Sequence, residues 1–554
     1  MFPTNIILSV DYAKAFDSLS LTAIKKALKY FGFGETFCKW IDVLLANRKC
    51  CVRNGGYVSD FLNMECGVRQ GCPISPLLFI LTIELLAIDI RKNDNIAGFK
   101  LSHNTCPIKI RMYADDATFF LKDMIDYREV LSRIKLFSDF SGLNLNKNKS
   151  NAMFVGDPSQ KNQIKFGIKI VNSIKILGIT FSNEKAAKDM EINVEPKIKQ
   201  LERICGMWEK RHLSLIGKIT VLKSFGLPLF IYLMQSIGLD EIYFKRINSI
   251  MFKFLWKTNS NEQQKVIERV KREHLFKSND LGGLSMFDIT KMQYSFYLKW
   301  ADKLISEDIC SWKTIPIICL SPIGGLSAFK SPVTSKQFKG MHLVNNNFWK
   351  KVLITWLNLS NDIPFKKKCN INDPLFNNTS VTFKGNTLFM EKCINKSIVL
   401  IKDFLDNGEL LTYEQFMSKF GLNTETQLTY NIIFNALKKI EFEIKKSFDL
   451  RLSEENSSLY FFRDIEAGSL TRKNYYNLIM CNDAINLNKG LCEDLLIDEN
   501  NPNIWRLSFD CTYEVKLIIL HWKLMHGIYP TGTLLYKMKK ELRKCANSAV
   551  REIP

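Results

Sequence analysis

Apolar positions in the first 200 residues change their period several times, and each change predicts an element. Ile6, Ile7, Leu8 and Val10 form an apolar, β-branched run that stops at Asp11, the profile of a buried strand. Helical spacing follows over 21–30 and again over 37–45. Residues 50–66 read as a β-hairpin around Asn54, Gly55 and Gly56. The glycine- and proline-punctuated segment GVRQGCPISP (67–76) then opens an apolar helix over 77–90. In IKIRMYADDATFFL (108–121) two apolar arms meet at two carboxylates, which predicts a tight hairpin. A helix over 129–141 should stop at Gly142, and a short strand pair falls within 151–182.

From about residue 195 the texture becomes helical. Ile198, Leu201, Ile204, Cys205 and Trp208 recur at i, i+3, i+4 spacing, with Lys197, Lys199, Arg203 and Lys210 among them. Segments 244–256 and 292–305 repeat the pattern. Residues 301–554 mix aromatic-rich helices with Asn/Ser-rich loops near 345, 372–379 and 453–458. No repeat of fixed period and no long low-complexity tract is present. The two most apolar windows are 76–90, carrying Glu84 and Asp89, and 221–239, carrying Lys223. Both read as buried core helices, since a membrane span needs about 20 apolar residues. The apolar run at the N-terminus has no basic leader and makes a poor signal peptide.

The 554 residues are enough for roughly three or four domains, and 46% hydrophobic with 24% charged residues is the composition of a folded protein. The net charge of +21 calls for a polyanionic partner, nucleic acid or an acidic membrane surface. The excess is uneven: residues 1–300 hold 44 basic and 29 acidic side chains, a net of +15, which puts the expected polyanion site in the first half. The 15 cysteines are scattered, with Cys50–Cys51 the only close pair and no C-x-x-C. That placement argues against a disulfide or zinc scaffold and for a reducing intracellular compartment.

The sharpest chemical signal is three aspartates, Asp11 at a strand end and Asp115–Asp116 at a hairpin tip. An isolated Asp-Asp pair is ordinarily a solvated turn. Adjacent carboxylates at the end of a buried strand repel each other, and divalent metal relieves that repulsion best. Two Mg²⁺ ions about 3.5–4 Å apart would activate a hydroxyl and stabilise a leaving pyrophosphate.

Five segments supply a context: SVDYAKAFDSL (9–19), GVRQGCPISPLLF (67–79), YADD (113–116), SGLNLNKNKS (141–150) and ILGITF (176–181). In this order and spacing they resemble the palm motifs of a reverse transcriptase, of the kind encoded by LINE-like, non-LTR retrotransposons. Downstream, RHLSLIGKITVLKSFGLPLFIY (211–232), FKFLWK (252–257) and LGGLSMFDI (281–289) resemble the post-palm region of the same enzymes. The resemblance covers roughly residues 5–300 and continues more faintly beyond.

The resemblance implies an α+β fold: a right-hand polymerase palm of antiparallel sheet with packed helices (1–185), a helical thumb (186–300) and a mainly α C-terminal region (301–554). It implies that Asp11 and Asp115 hold two Mg²⁺ ions, Mn²⁺ being the alternative, with Asp116 assisting. Lys149 would neutralise pyrophosphate or act as general acid. Phe16 would pack under the incoming sugar and exclude a 2′-hydroxyl. Gln70, Gly71 and Tyr113 would meet the nucleotide, and Leu177–Gly178 would lie in the primer grip. Asp17 is expected to order its turn, and Tyr12, Ala13 and Lys14 to be scaffold or surface. The implied partners are an RNA template, a DNA primer or target and dNTPs, without a membrane, in nucleus or cytoplasm.

Only ten residues precede Asp11, and none is Lys or Arg. The expectation is therefore an N-terminally truncated piece, with fingers largely missing and no upstream endonuclease. At the other end, 520–538 resembles the segment before a terminal Cys/His knuckle, which Cys545 alone cannot complete. Two other readings are a catalytically silent nucleic-acid-binding remnant and a group II intron-type maturase, which the GGL segment disfavours. Trp208, Trp256 and Trp300 would stack on bases or, as helical spacing more often means, fill core.

Overall fold

The computed structural model describes residues 5–101, 106–155, 164–183, 186–257, 268–306, 308, 310–330, 333, 335–360, 370–420, 426–442, 444–445, 461–462, 465–466, 470–482, 505–506, 509–510, 512–526 and 528. The chain divides into two compact units, Met1–Glu195 and Pro196–Pro554.

The first unit begins with β1 (Asn5–Val10), β2 (Tyr12–Ala13), the single turn α1 (Ala15–Ser18), α2 (Leu21–Tyr30) and α3 (Glu35–Leu45). Four two-residue strands follow, β3 (Lys49–Cys50), β4 (Arg53–Asn54), β5 (Tyr57–Val58) and β6 (Leu62–Asn63), then the long helix α4 (Ser75–Lys92). The hairpin β7 (Ile110–Tyr113) and β8 (Asp116–Leu121) leads into α5 (Met124–Ser141) and β9 (Asn144–Leu145). β10 (Asn151–Val155), β11 (Ile164–Lys165), β12 (Ile168–Ile170), β13 (Ser173–Ile176) and β14 (Ile179–Ser182) complete its strands, and α6 (Ala186–Glu209) begins in it and runs on past Glu195.

Six strands form one sheet in the order β11-β12-β10-β1-β8-β7, antiparallel except where β10 runs parallel to β12. The alternation in β1 decides which face is covered. Ile6, Leu8 and Val10 are buried, and their cross-strand partners Leu121, Phe119 and Ala117 are buried with them. Against this face lie Leu78, Phe79, Ile83, Leu86 and Ile90 of α4, Ile24 and Leu28 of α2, and Val130 and Ile134 of α5, in one continuous core. Each such side chain contributes about 1.5–3 kcal/mol by leaving water. Ile7, Ser9 and Asp11 therefore fall on the other face of the strand.

Polar groups fix the connections. α5 starts where the Asp123 carboxylate accepts from the Ile125 and Asp126 amides, and stops at Gly142 in the left-handed conformation. The buried Asp126 carboxylate accepts from the amides of Ala97, Gly98 and Lys122, which pins the α4–β7 connection to the start of α5. The predicted hairpin over 50–66 forms as two nested ladders, β3 with β6 and β4 with β5. The expected strand pair over 151–182 is larger: β10, β11 and β12 extend the main sheet and β13–β14 form a separate hairpin. Parallel pairing of β10 with β12 is a non-local choice that a local pattern does not display.

The second unit holds α7 (Leu215–Val221), α8 (Pro228–Ser236), α9 (Glu241–Trp256), α10 (Arg272–Phe276) and α11 (Ile289–Ile305). The apolar window 221–239, expected as a single core helix, is interrupted by a π-helical stretch, Leu222–Gly226. Its wide turn closes with the Leu227 amide on the Leu222 carbonyl at 2.7 Å, just before Pro228, which has no N–H to carry the ladder on. Among the described residues no single helix is long and apolar enough to cross a membrane. Leu215–Gly226 and Pro228–Ser236 reach that length only together, bent by 47°, with Leu222, Phe230, Leu233 and Met234 buried.

Beyond α11 the described residues form short helices, 3-10 turns and two-residue hairpins around two aromatic-rich cores. Trp300 sits edge-on to Trp312 at 5.3 Å and donates its indole N–H to the Gln235 carbonyl; Trp208 stacks on Phe225. The glycine turn 281–284 receives the helix Val515–Met525, from which Trp522 Nε1 and the adjoining His526 Nε2 both reach the Gly282 carbonyl, at 3.0 and 2.7 Å. Burial pushes the His526 imidazole down to about 4. The loop at 453–458 and the C-terminal segment with Cys545 lie outside the described residues.

Candidate active site

β1 and β8 pair with Val10 opposite Ala117, so the next residues outward along the two strands are Asp11 and Asp116. The β7–β8 hairpin pairs Tyr113 with Asp116 and turns through Ala114, at φ 52°, and Asp115. Asp115 and Asp116 are exposed, Asp11 is half-buried, and Tyr113 is 71% exposed. The three carboxylates feel one another: Asp116 is pushed above the usual carboxylate range by partial burial first, then by Asp115 and Asp11. Among the described residues no three His, Cys, Asp or Glu side chains make a ready-formed metal cage. The arrangement is an open, mutually repelling cluster of hard oxygen donors. That suits Mg²⁺, which takes one or two carboxylates and leaves its other positions to water and substrate phosphates.

The backbone of Asp11 is held from a distant segment. Its amide donates to Ser150 Oγ at 3.1 Å, and its carbonyl accepts from the Asn146 amide at 2.8 Å. The Ser150 hydroxyl donates onward to the Asn146 carbonyl, and Tyr12 pairs with Leu145 one step along. The loop SGLNLNKNKS is thereby clasped to the strand end, and Lys149 is exposed beside the clasp. Tyr12 is buried scaffold, while Lys14 is exposed.

Phe16 stacks on Phe79 of α4, with ring centroids 4.9 Å apart and planes at 11°. The loop before Gln70 and Gly71 is stitched to the same segment: the Val68 amide donates to the Phe16 carbonyl at 2.7 Å and the Gly67 amide to the Leu19 carbonyl at 2.8 Å. The approach is so close that a Cβ at Gly67 would lie 2.5 Å from the Asp17 carbonyl oxygen. The turn around Asp17 is ordered by backbone bonds from Asp17 and Ser18 to the Lys14 carbonyl. Gln70 and Gly71 follow this seam and are exposed.

Sequence reasoning missed three of the groups that build the site. Ser150 and Asn146 clasp Asp11. Arg48, almost wholly buried, donates from Nη1 to the Gly67 carbonyl at 2.6 Å and from Nε to the Leu45 carbonyl at 2.9 Å. It ties the end of α3 to the motif loop, and burial, then Arg69, lowers its pKa. In sequence Arg48 is one basic residue before a hairpin, with nothing to mark it as buried. Leu177 and Gly178 form the two-residue turn of β13–β14, a separate two-stranded sheet, with φ of 46° and 85°. The Asn193 side chain clamps that hairpin by bonding both the amide and the carbonyl of Thr180.

A largely antiparallel sheet packed on helices, with a half-buried carboxylate at the end of a central strand and two exposed ones on the adjoining hairpin, has the arrangement expected of a polymerase palm. Residues 3–181 match the family model described as reverse transcriptase (RNA-dependent DNA polymerase). The matched stretch, 179 of 554 residues, holds all five of the motifs read from the sequence. The chain is 26% identical over 257 residues to an uncharacterised protein of transposon TX1 from Xenopus laevis, covering 45% of this chain and 19% of that one. It is 29% identical over 244 residues to a retrovirus-related Pol polyprotein of the type-1 retrotransposable element R2 from Popillia japonica, covering 42% and 39%. The R2 Pol polyprotein from Drosophila melanogaster is 28% identical over 161 residues, covering 29% and 15%. The chain thus spans well under half the length of these relatives. An apo telomerase from Candida tropicalis overlaps at a TM-score of 0.27, with 11% identity over 46% of this chain and 47% of that one, too slight to bear on the fold.

Proposed function

We propose that the chain is an RNA-directed DNA polymerase of a non-LTR retrotransposon, extending a DNA primer on an RNA template with dNTPs. The observation that carries this reading is the register that sets Asp11 beside Asp116, one residue from Asp115, on the face of the sheet turned away from the helices. In the reaction the primer 3′-oxygen bonds to the α-phosphorus, the bond from that phosphorus to the bridging oxygen breaks, and pyrophosphate leaves. The 3′-hydroxyl gives up its proton to water.

Asp11 and Asp115 would hold two Mg²⁺ ions, or Mn²⁺ in their place, with Asp116 assisting; when bound, such ions supply an activated hydroxyl and neutralise charge on the leaving group. Lys149 neutralises or protonates pyrophosphate as it departs. Phe16, backed by Phe79, occupies the space a ribose 2′-hydroxyl would need. Gln70 and Gly71 meet the template base and the incoming nucleotide, Tyr113 the nucleotide, and Leu177–Gly178 the primer. Residues 1–185 serve as palm, 186–300 as thumb, and 301–554 as a further region, in a nuclear or cytoplasmic protein. The net positive charge supports binding to template and primer phosphates.

The test is primer extension on a poly(A) template with oligo(dT), dTTP and Mg²⁺. Incorporation that disappears in Asp115→Ala with Asp116→Ala supports the reading. Incorporation indifferent to that double substitution removes the aspartates from the chemistry. Binding of the duplex with no incorporation by the unsubstituted chain marks a binding-only protein.

A further inference from the structure

A second place for a polyanion lies within the second unit. A cavity of about 300 Å³ opens between α7, the end of α9 and the helix Val515–Met525. Its lining includes Lys218, Arg269, Lys516 and Lys523 and no carboxylate. Of the acids nearby in sequence, Glu268 pairs with Arg272 and Glu209 with Lys257 at 3.0 Å, while the exposed Glu514, two residues before Lys516, is not part of the lining. Arg269 and Lys516 are exposed and have no ion-pair partner among the described residues. Lys218 donates to the carbonyls of Phe254, Leu255 and Lys257 at 2.8–3.2 Å, so its ammonium is held in place at the end of α9. The Lys523 ammonium is disfavoured first by burial and then by Arg269, a sign of positive charge gathered without relief.

Trp256 also lines the cavity. Its indole N–H is shut off from solvent and meets no acceptor among the described residues. An N–H with no exposure does not face the cavity, so Trp256 contributes its ring to the lining and not its donor. The remaining wall is Leu213, Leu215, Leu255 and Ile519, with Ser214 its one further polar residue. Four cations beside an indole ring and an aliphatic floor call for an anion carrying apolar surface. A nucleotide unit of a single strand has both, whereas a duplex keeps its bases turned inward.

We propose that this cavity binds a backbone phosphate of single-stranded nucleic acid, with the adjoining base or sugar resting on the aliphatic lining. None of its residues belongs to the polymerase chemistry proposed above, so the site stands whether or not that reading does. The experiment is binding of a fluorescein-labelled oligo(dT) to the full chain in EDTA, by anisotropy across a salt series. Arg269→Glu with Lys516→Glu should weaken binding about tenfold or more and flatten the salt dependence by about 0.7 for each phosphate that is no longer neutralised. The charge-preserving Arg269→Lys with Lys516→Arg should bind like the unsubstituted chain. Should the reversed variant fail to fold, Arg269→Ala with Lys516→Ala decides: weaker binding with a flatter salt dependence supports the site and unchanged binding overturns it. Unchanged affinity and slope in a folded reversed variant also overturn it. Unlabelled oligo(dT) should displace the probe where inorganic phosphate at equal phosphate concentration does not; displacement by phosphate alone overturns the assignment to a strand.

Discussion

The Asp11 amide and the Ser150 hydroxyl meet at 3.1 Å across 139 residues of chain. This bond, with the Asn146 amide on the Asp11 carbonyl, makes the strand end and the lysine-bearing loop one structural piece.

Ser150→Ala leaves the Asp11 amide and the Asn146 carbonyl without this hydroxyl in a buried place. The expected cost is about 1–3 kcal/mol of stability. Primer extension should slow even where the protein remains folded, and Ser150→Thr should restore most of both. Denaturant melts and extension rates at saturating dNTP measure the two effects; full activity in a folded Ser150→Ala protein would remove the clasp from the site.

Three carboxylates that repel one another should welcome Mg²⁺ without any substrate. At a metal concentration a hundredfold above its Kd, the folded chain gains about 2.7 kcal/mol. Asp11→Asn with Asp115→Asn should abolish that gain while leaving the metal-free protein as stable as before or more so. Thermal melts with and without Mg²⁺ read this directly, and an equal Mg²⁺ shift in both proteins contradicts it.

Phe16→Ala opens the space in front of Phe79. Discrimination against ribonucleotides should fall about 10- to 100-fold, through a rise in kcat/KM for rUTP rather than a loss for dTTP. Single-nucleotide insertion kinetics check it. A uniform loss for both nucleotides would mean the ring serves packing alone.

His526 gives a pH dependence with a definite sign. Its imidazole is held at about 4 against an ordinary value of 6.5, chiefly by burial, with His274 and Lys277 adding to the depression and the Gly282 carbonyl opposing it. The neutral ring is the folded form, so the unfolded chain takes up the proton first. Stability should therefore fall as pH drops from about 6.5 towards 4, by about 3 kcal/mol at most from this residue. Melts of the full chain between pH 7 and 4.5 should show a shallower fall in His526→Gln.

The elements that local pattern carries were legible. The helix over 21–30 forms at those residues because its apolar positions repeat at helical spacing, and α5 ends at the glycine that only a left-handed turn requires. The carboxylate hairpin was legible because two apolar arms meet at a pair of adjacent carboxylates. What was not legible depends on partners far along the chain. Ser150 looks like the end of a polar loop, Arg48 like a surface cation, and the π-helical break at Leu222–Gly226 sits inside an uninterrupted apolar run. Trp256 shows the same limit: helical spacing marks it as core, yet its ring lines a cationic cavity.

The central place of β1 has a consequence for how the protein is made. This strand leaves the ribosome well before its neighbours β8 and β10, which are encoded more than a hundred residues later. Until the chain has grown past Leu121, β1 has no sheet to join and must wait, exposed, at the cost of a long closing loop, and its other edge stays open until β10 is made. Asp11 likewise has no carboxylate beside it during that wait. The charge that burdens the finished site is thus kept out of the nascent chain, and the cluster forms only when the sheet able to bear it is complete.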